Sequence, residues 1–493
     1  MVPFYMFSQR ELAPAEDQGV VFAVVQAAAN STIDQTTLFT RQIHDVYRSF
    51  PEADSIFQIT FPSGGFGGMV TKPWSERSKT AQQLLMESMG PLSQIPGIRV
   101  IPLTPPPLPG GGDFPVDLVI ASAAEPEQLV SLANELVQKA MASGMFMFAD
   151  ADLKFDQPQT EVVFDRDKLR SQGVDLSQAG RDLSTLLGGD YVNRFSIEGR
   201  SYKVIPQVKR TERLTPDQLA GMYVTGSPSG PPEKRLVPLS TFAALRTTTE
   251  PRELKKFQQL NAVRIQGVIP PPVPLDQALS FLEEEAARIL PQGFTIDYAG
   301  ESRQLRTEGG RFLGVFLLSA ILIYLVLAAQ FESFRDPFII LAGSVPLAVS
   351  GALLFSFLGL TTLNIYSQVG LITLVGLVAK NGILIVEFAN HLQETGLDKL
   401  RAVIQAAGTR LRPILMTTAA TVVGHTPLIL ATGPGAGARN SIGIMLVTGM
   451  IIGTVFTLFV VPSIYMLVAR SRAAVHAGED DAADRVGELA QAL

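Results

Sequence analysis

The chain has 493 residues and carries 46 acidic against 40 basic side chains, a net charge of −6 that is too mild to point to nucleic acid as a partner. It contains no cysteine, which excludes disulfides and thiolate sites, and its four histidines, His44, His391, His425 and His476, lack metal-ligand spacing. The length exceeds one ordinary domain, and the apolar excess falls after Arg311, so a soluble first part and a membrane second part are expected.

The apolar start Met1-Val-Pro-Phe-Tyr-Met-Phe7 is too short for a signal core or a span. Residues 1–10 are expected to be the end of a truncated transmembrane helix. Beyond the charged run from Arg10 to Gly19, periodicity predicts a strand at 20–28, a helix at 33–50 and a strand at 55–60. A glycine-rich loop at 62–68 then leads past Trp74 to a helix at 76–93 and a strand at 98–103. Two strand–helix–strand passes make a split βαβ unit over 11–104. After the Pro/Gly linker at 105–112 a second unit starts with a strand at 116–121, a helix at 126–142 and a strand at 151–155. Its remaining elements come much later, as a strand at 262–268, a helix at 275–290 and a strand at 294–298. The second unit therefore covers 105–158 and 259–305, with an inserted subdomain at 159–258.

Five spans follow, at about 311–330, 337–360, 365–391, 413–432 and 442–469, within a membrane region of 311–470. The segment 391–412 carries Lys399, Arg401, Arg410 and Arg412, and the tail carries Arg470 and Arg472. Positive charge places both in the cytoplasm, with 471–493 as a cytoplasmic tail and the soluble part on the other side. A further span is then expected before Met1.

Lys380 sits inside the third span. A lysine at bilayer mid-depth costs about 2.5–3.5 kcal/mol on insertion scales, so it needs a partner or a polar path. The other spans offer no Asp or Glu at mid-depth, and Glu387 lies two turns away on the same helix. The counter-charge is expected from another segment or another chain. Arg410 either anchors the fourth span at the membrane surface or reaches into a polar channel. His425 either titrates near neutral pH or bonds a helix carbonyl.

The run from Val369 through Lys380-Asn-Gly-Ile-Leu-Ile-Val-Glu387-Phe-Ala resembles the tenth transmembrane helix of resistance–nodulation–division efflux pumps of the hydrophobe/amphiphile type. Arg410-Leu-Arg412-Pro-Ile-Leu-Met-Thr417 is similar to the start of their eleventh. Glu11-Leu-Ala-Pro-Ala-Glu-Asp-Gln-Gly19, Gly189-Asp-Tyr-Val-Asn193-Arg-Phe and Val237-Pro-Leu-Ser-Thr-Phe242 fit as well. The resemblance runs in order along nearly the whole chain and covers the C-terminal half of such a pump.

It implies an α/β periplasmic porter domain of two ferredoxin-like subdomains with an inserted docking subdomain, joined to an α-helical transmembrane bundle. It implies a secondary active transporter, not an enzyme, that exports hydrophobic and amphiphilic compounds by proton antiport across the bacterial inner membrane. The proton gradient takes the place of a cofactor. Lys380, Arg410 and Thr417 would form the proton relay, with paired aspartates supplied by the missing N-terminal half. Phe61 and Phe66 would line the substrate pocket around the glycine-rich loop. The implied partners are that N-terminal half, further copies in a homotrimer or heterotrimer, a periplasmic adaptor, an outer-membrane channel and small amphiphilic substrates. The alternatives are a non-transporting membrane scaffold or receptor with a periplasmic partner-binding domain, and a metal-ion exporter of the same superfamily. For the latter, Met141, Met145 and Met147 are the candidate ligands, and core packing is their ordinary explanation.

Overall fold

The computed structural model describes residues 1–226, 235–270, 273–309 and 311–470; the expected tail at 471–493 lies outside the described residues. The chain divides into two compact units, one formed by Met1–Leu153 with Leu254–Leu493 and the other by Lys154–Glu253.

The first unit opens with a short helix, α1 (Val2–Phe7), followed by β1 (Val20–Ala27), α2 (Ile33–Arg48), β2 (Ala53–Phe61), β3 (Gly64–Thr71), α3 (Ala81–Ser93) and β4 (Ile98–Leu103). The strands form one antiparallel sheet in the order β2-β3-β1-β4. Strict alternation in β1 buries Val21, Ala23, Val25 and Ala27 on the side of the helices, where Ile43, Tyr47, Leu84 and Leu92 complete a core. Thr80 and Gln83 close a capping box that starts α3.

The next sheet begins with β5 (Val116–Ser122), α4 (Pro126–Ala142) and β6 (Phe148–Ala151). Here the strand expected at 151–155 lies three residues earlier. Asp152 ends it, because its carboxylate turns back to accept from the Arg264 N–H at 2.7 Å and to pair with Lys255 at 3.0 Å.

The second unit intervenes. Its backbone is the long antiparallel pair β7 (Phe155–Phe164) and β12 (Ala243–Pro251). Between them lie α5 (Arg166–Ser171), α6 (Leu176–Leu183), the hairpin of β8 (Asn193–Ile197) and β9 (Arg200–Val204), α7 (Pro216–Ala220), and the pair β10 (Tyr223–Gly226) and β11 (Arg235–Pro238). Leu169, Val174, Ala179, Val224, Leu239 and Phe242 form its own core.

The first unit then resumes with β13 (Lys255–Phe257), β14 (Leu260–Val268), α8 (Leu275–Ile289), β15 (Thr295–Tyr298) and α9 (Gly300–Glu308). The four main strands of this second sheet lie in the order β6-β14-β5-β15, all antiparallel. That order repeats the first sheet, second-third-first-fourth, so both sheets have the ferredoxin-like split βαβ arrangement. β5 is central and buried along its whole length, and α4 and α8 pack on one face through Leu129, Leu136, Leu279 and Leu282.

Five long helices complete the unit: α10 (Phe312–Phe331), α11 (Arg335–Phe357), α12 (Ile365–Glu394), α13 (Lys399–Ile429) and α14 (Ala436–Val468). Four of them, α10, α11, α12 and α14, are long and apolar enough to cross a membrane. The fifth differs from expectation in where it starts. Asp398 caps it by accepting from Leu400 N–H, so Lys399, Arg401, Arg410 and Arg412 sit on its first turns and not in a loop. Lys399 has a further structural task, donating at 2.8 Å to the Met466 carbonyl and also to that of Ala469 at the end of α14.

Small residues let these helices approach closely. A Cβ on Gly453 would lie 2.6 Å from Ala348 Cβ, and one on Gly449 would lie 2.3 Å from Leu374 Cδ2. At one end of the bundle Asn390 donates to Asp336 at 3.0 Å, while the Tyr465 hydroxyl donates to Asn390 and accepts from Gln393, both at 2.6 Å. All four side chains are buried, so the polar groups are satisfied inside the bundle.

Candidate functional site

Lys380 lies on α12, on the stripe that the chain leaves uncovered. Ile365, Val369, Thr373, Gly376 and Glu387 on the same stripe are exposed, whereas Leu374, Val378, Asn381 and Ile385 on the opposite side are buried against α11 and α14. The Lys380 ammonium donates to the Thr421 hydroxyl of α13 at 3.4 Å. Thr421 in turn donates to the Thr417 carbonyl at 2.8 Å, and the His425 Nδ1 lies 2.7 Å from the Thr421 carbonyl. No carboxylate pairs with Lys380 among the described residues.

Arg410 begins the same stripe of α13, since positions 410, 414, 417, 421 and 425 recur at helical spacing. Its guanidinium stacks on the Phe388 ring at 4.6 Å, and its Nε is buried with no hydrogen-bond partner among the described residues. It lines a cavity of about 570 Å³ shared with Glu332, Glu387 and Glu394. The Thr417 hydroxyl is exposed and donates to its own helix at Ile414. The three expected relay residues thus share one face of the α12–α13 pair without touching. Thr421 is the link between Lys380 and Thr417, and a four-residue step from Thr417 was the available signal for it.

Next to Lys380 the chain turns a second polar side chain inward. Asn381 is fully buried, donates to Thr454 of α14 at 3.1 Å and leaves its own Oδ1 without a partner among the described residues. The Thr454 hydroxyl is also 3.3 Å from that of Thr418.

Phe61 and Phe66 need a correction of setting. The glycine run is strand β3, paired with both β1 and β2, and not a loop. Glycine is required there because neighbouring backbone comes so close: a Cβ on Gly64 would stand 2.1 Å from the Val25 carbonyl oxygen. Phe66 packs with Phe22 and Phe57, centroids 5.0 and 5.9 Å away, on the sheet face opposite the helices. Phe57 belongs to that half-buried aromatic face, with the Phe22 ring 6.2 Å away. Phe61 lies on the same face at the hairpin end, 53% exposed. Of the three methionines, Met141 is exposed and Met145 packs on the core of the second sheet.

The AcrB/AcrD/AcrF family model matches residues 1–469. The chain belongs to the AcrB/AcrD/AcrF family. Its relatives include an uncharacterized transporter of Haemophilus influenzae, 40% identical over 95% of this chain and 46% of the relative. The multidrug/solvent efflux pump membrane transporter MepB of Pseudomonas putida is 32% identical over 92% of this chain and 44% of that protein. The multidrug export protein AcrF of Escherichia coli is 31% identical over 95% and 46%. The chain spans about half the length of the curated relatives it matches. Family membership and the four helices long and apolar enough to cross a membrane make it a membrane protein of the resistance–nodulation–division type.

Proposed function

We propose that the chain supplies one half of a proton-driven exporter of hydrophobic and amphiphilic compounds in the bacterial inner membrane, with the two βαβ subdomains and the insert in the periplasm. The observation that carries the reading is Lys380. It stands on an uncovered helix stripe, hydrogen-bonded to one threonine, with no carboxylate partner among the described residues.

A helix bearing carboxylates, from a segment equivalent to the other half of the relatives, would cover that stripe and pair with Lys380. Protonation of those carboxylates would release the ammonium to Thr421, and the shift would pass along α12 and α13. Arg410, beside Glu387 and Glu394 in its cavity, would hold the cytoplasmic end of the proton route. The face of Phe22, Phe57, Phe61 and Phe66 offers apolar contact area without directional demands, which suits varied amphiphiles. The working assembly would be a trimer with a periplasmic adaptor and an outer-membrane channel. The proton gradient drives it without a bound cofactor.

The test is dye efflux from proteoliposomes holding the assembled pump under an imposed pH gradient. Efflux that collapses with the gradient is expected. A membrane scaffold or receptor would move no dye under any gradient.

A further inference from the structure

Ahead of Pro413, where its membrane span is expected to begin, α13 carries Lys399, Arg401, Arg410 and Arg412, and no Asp or Glu occurs anywhere in the helix. One side of these first turns is packed, with Val403 and Ala406 buried in a core shared with Val461 and Tyr465 of α14. The other side is bare. Leu400, Ile404 and Leu411 are exposed there, Ile404 at 63%, interleaved with exposed Arg401 and Arg412, and a Cβ added to Gly408 would meet no atom within 4 Å. Neither arginine makes an ion pair among the described residues. An apolar stripe edged by free cations suits an acidic, amphipathic partner.

The same chain supplies a segment of that chemistry. Residues 479–493 hold Glu479, Asp480, Asp481, Asp484 and Glu488 against Arg485 as their one basic residue, and Val486, Leu489 and Leu493 recur at helical spacing. The segment also starts in the right place. Lys399 donates at 2.8 Å to the Met466 carbonyl near the end of α14, so the tail leaves the bundle beside the first turn of α13, on the same side of the membrane whichever way the bundle is oriented. The connecting residues 471–478 reach at most about 26 Å at ~3.3 Å each, enough to pass half-way round a helix about 10–12 Å across. The lengths match as well: at ~1.5 Å per residue, 399–412 runs about 21 Å and a helix over 479–493 about 22 Å.

We propose that residues 479–493 dock on the bare face of α13, with Val486, Leu489 and Leu493 against Ile404 and Leu411 and the acidic side chains against Arg401 and Arg412. Burial of the two apolar stripes drives the contact, and opposite charge fixes the register of the segment along the helix. It braces from outside the helix that carries Arg410 and Thr421, and docking itself does not depend on the exporter reading.

Because the chain has no cysteine, a reactive pair can be introduced without background. Gln405→Cys on the exposed side of α13 and Ala483→Cys in the tail are treated with a short bis-maleimide in the purified full-length chain, and the product is sized on a denaturing gel. The reaction is followed in neutral detergent and in bilayer discs of phosphatidylcholine with and without phosphatidylglycerol. Rapid cross-linking within a single chain is expected in every case. Combining Asp481→Lys, Asp484→Lys and Glu488→Lys should slow it about tenfold, and adding Arg401→Glu with Arg412→Glu should restore it to within about twofold of the original rate. A rate that ignores the tail substitutions overturns the proposal, as does the absence of cross-linking or a product that joins two chains. Loss of cross-linking in the discs that contain phosphatidylglycerol also overturns it, and would assign the face to anionic lipid.

Discussion

Glu16 Oε1 accepts a 2.8 Å hydrogen bond from the Ala438 N–H, joining the segment before β1 to the first turn of α14, 422 residues further along the chain. The carboxylate meets the positive end of a 33-residue helix, where negative charge is stabilising. Next to it, Asp17 accepts from Ala81 N–H at 3.0 Å and pairs with Arg77 at 2.7 Å, fixing the start of α3. The acidic motif therefore clips the first sheet to the membrane helices. Glu16→Ala should lower stability by about 0.5–2 kcal/mol, read as a fall in the melting temperature of the detergent-solubilised protein. Glu16→Gln, which keeps an acceptor, should lose less.

Close packing of α14 makes a second expectation. Ala348 of α11 leaves no space at Gly453, whose added Cβ would also lie 3.1 Å from backbone. Gly453→Val should destabilise by about 1–3 kcal/mol or more. Gly314→Val on α10, where an added Cβ would meet no atom within 4 Å, should be close to neutral in the same melting measurement.

The Tyr465 hydroxyl serves two buried partners, Asn390 and Gln393. Tyr465→Phe leaves both amides short of a partner and should cost about 1–3 kcal/mol. Hydrogen exchange of α12 near Asn390 should accelerate before that of β5, because the loss is local to one end of the bundle.

Asp117 gives a pH dependence. Burial raises its carboxyl to about 6, with Arg264 only partly opposing, and its Oδ1 has no partner among the described residues. The folded state thus holds this proton more tightly than the unfolded chain does. The contribution is stabilising below the ordinary carboxylate range and is lost as pH rises from about 4 to about 6. Asp117→Asn should melt at a higher temperature than wild type above pH 6, and the difference should shrink as the pH is lowered toward 4.

Much of this was legible in the sequence. Alternation in β1 and helical periodicity in α2, α4 and α8 reflect burial on one face, which a linear pattern records. The repeated sheet order was reachable from two strand–helix–strand passes, even with the insert between. Strand β3 was not, because Gly64 to Gly68 reads as loop when the carbonyls that demand glycine belong to other strands. The start of α13 at Lys399 was hidden for a related reason, since its first basic residue is committed to the end of α14. At the membrane site Lys380 stood out by its desolvation cost alone. Thr421 and Thr454 did not, because a threonine inside an apolar helix bonds its own helix as readily as a neighbour.

The most direct measurement is gradient-driven dye efflux by the assembled pump carrying Lys380→Ala, with Lys380→Arg in parallel. Lys380→Ala should fall to the rate of protein-free vesicles. Efflux by Lys380→Ala at the wild-type rate would contradict the account.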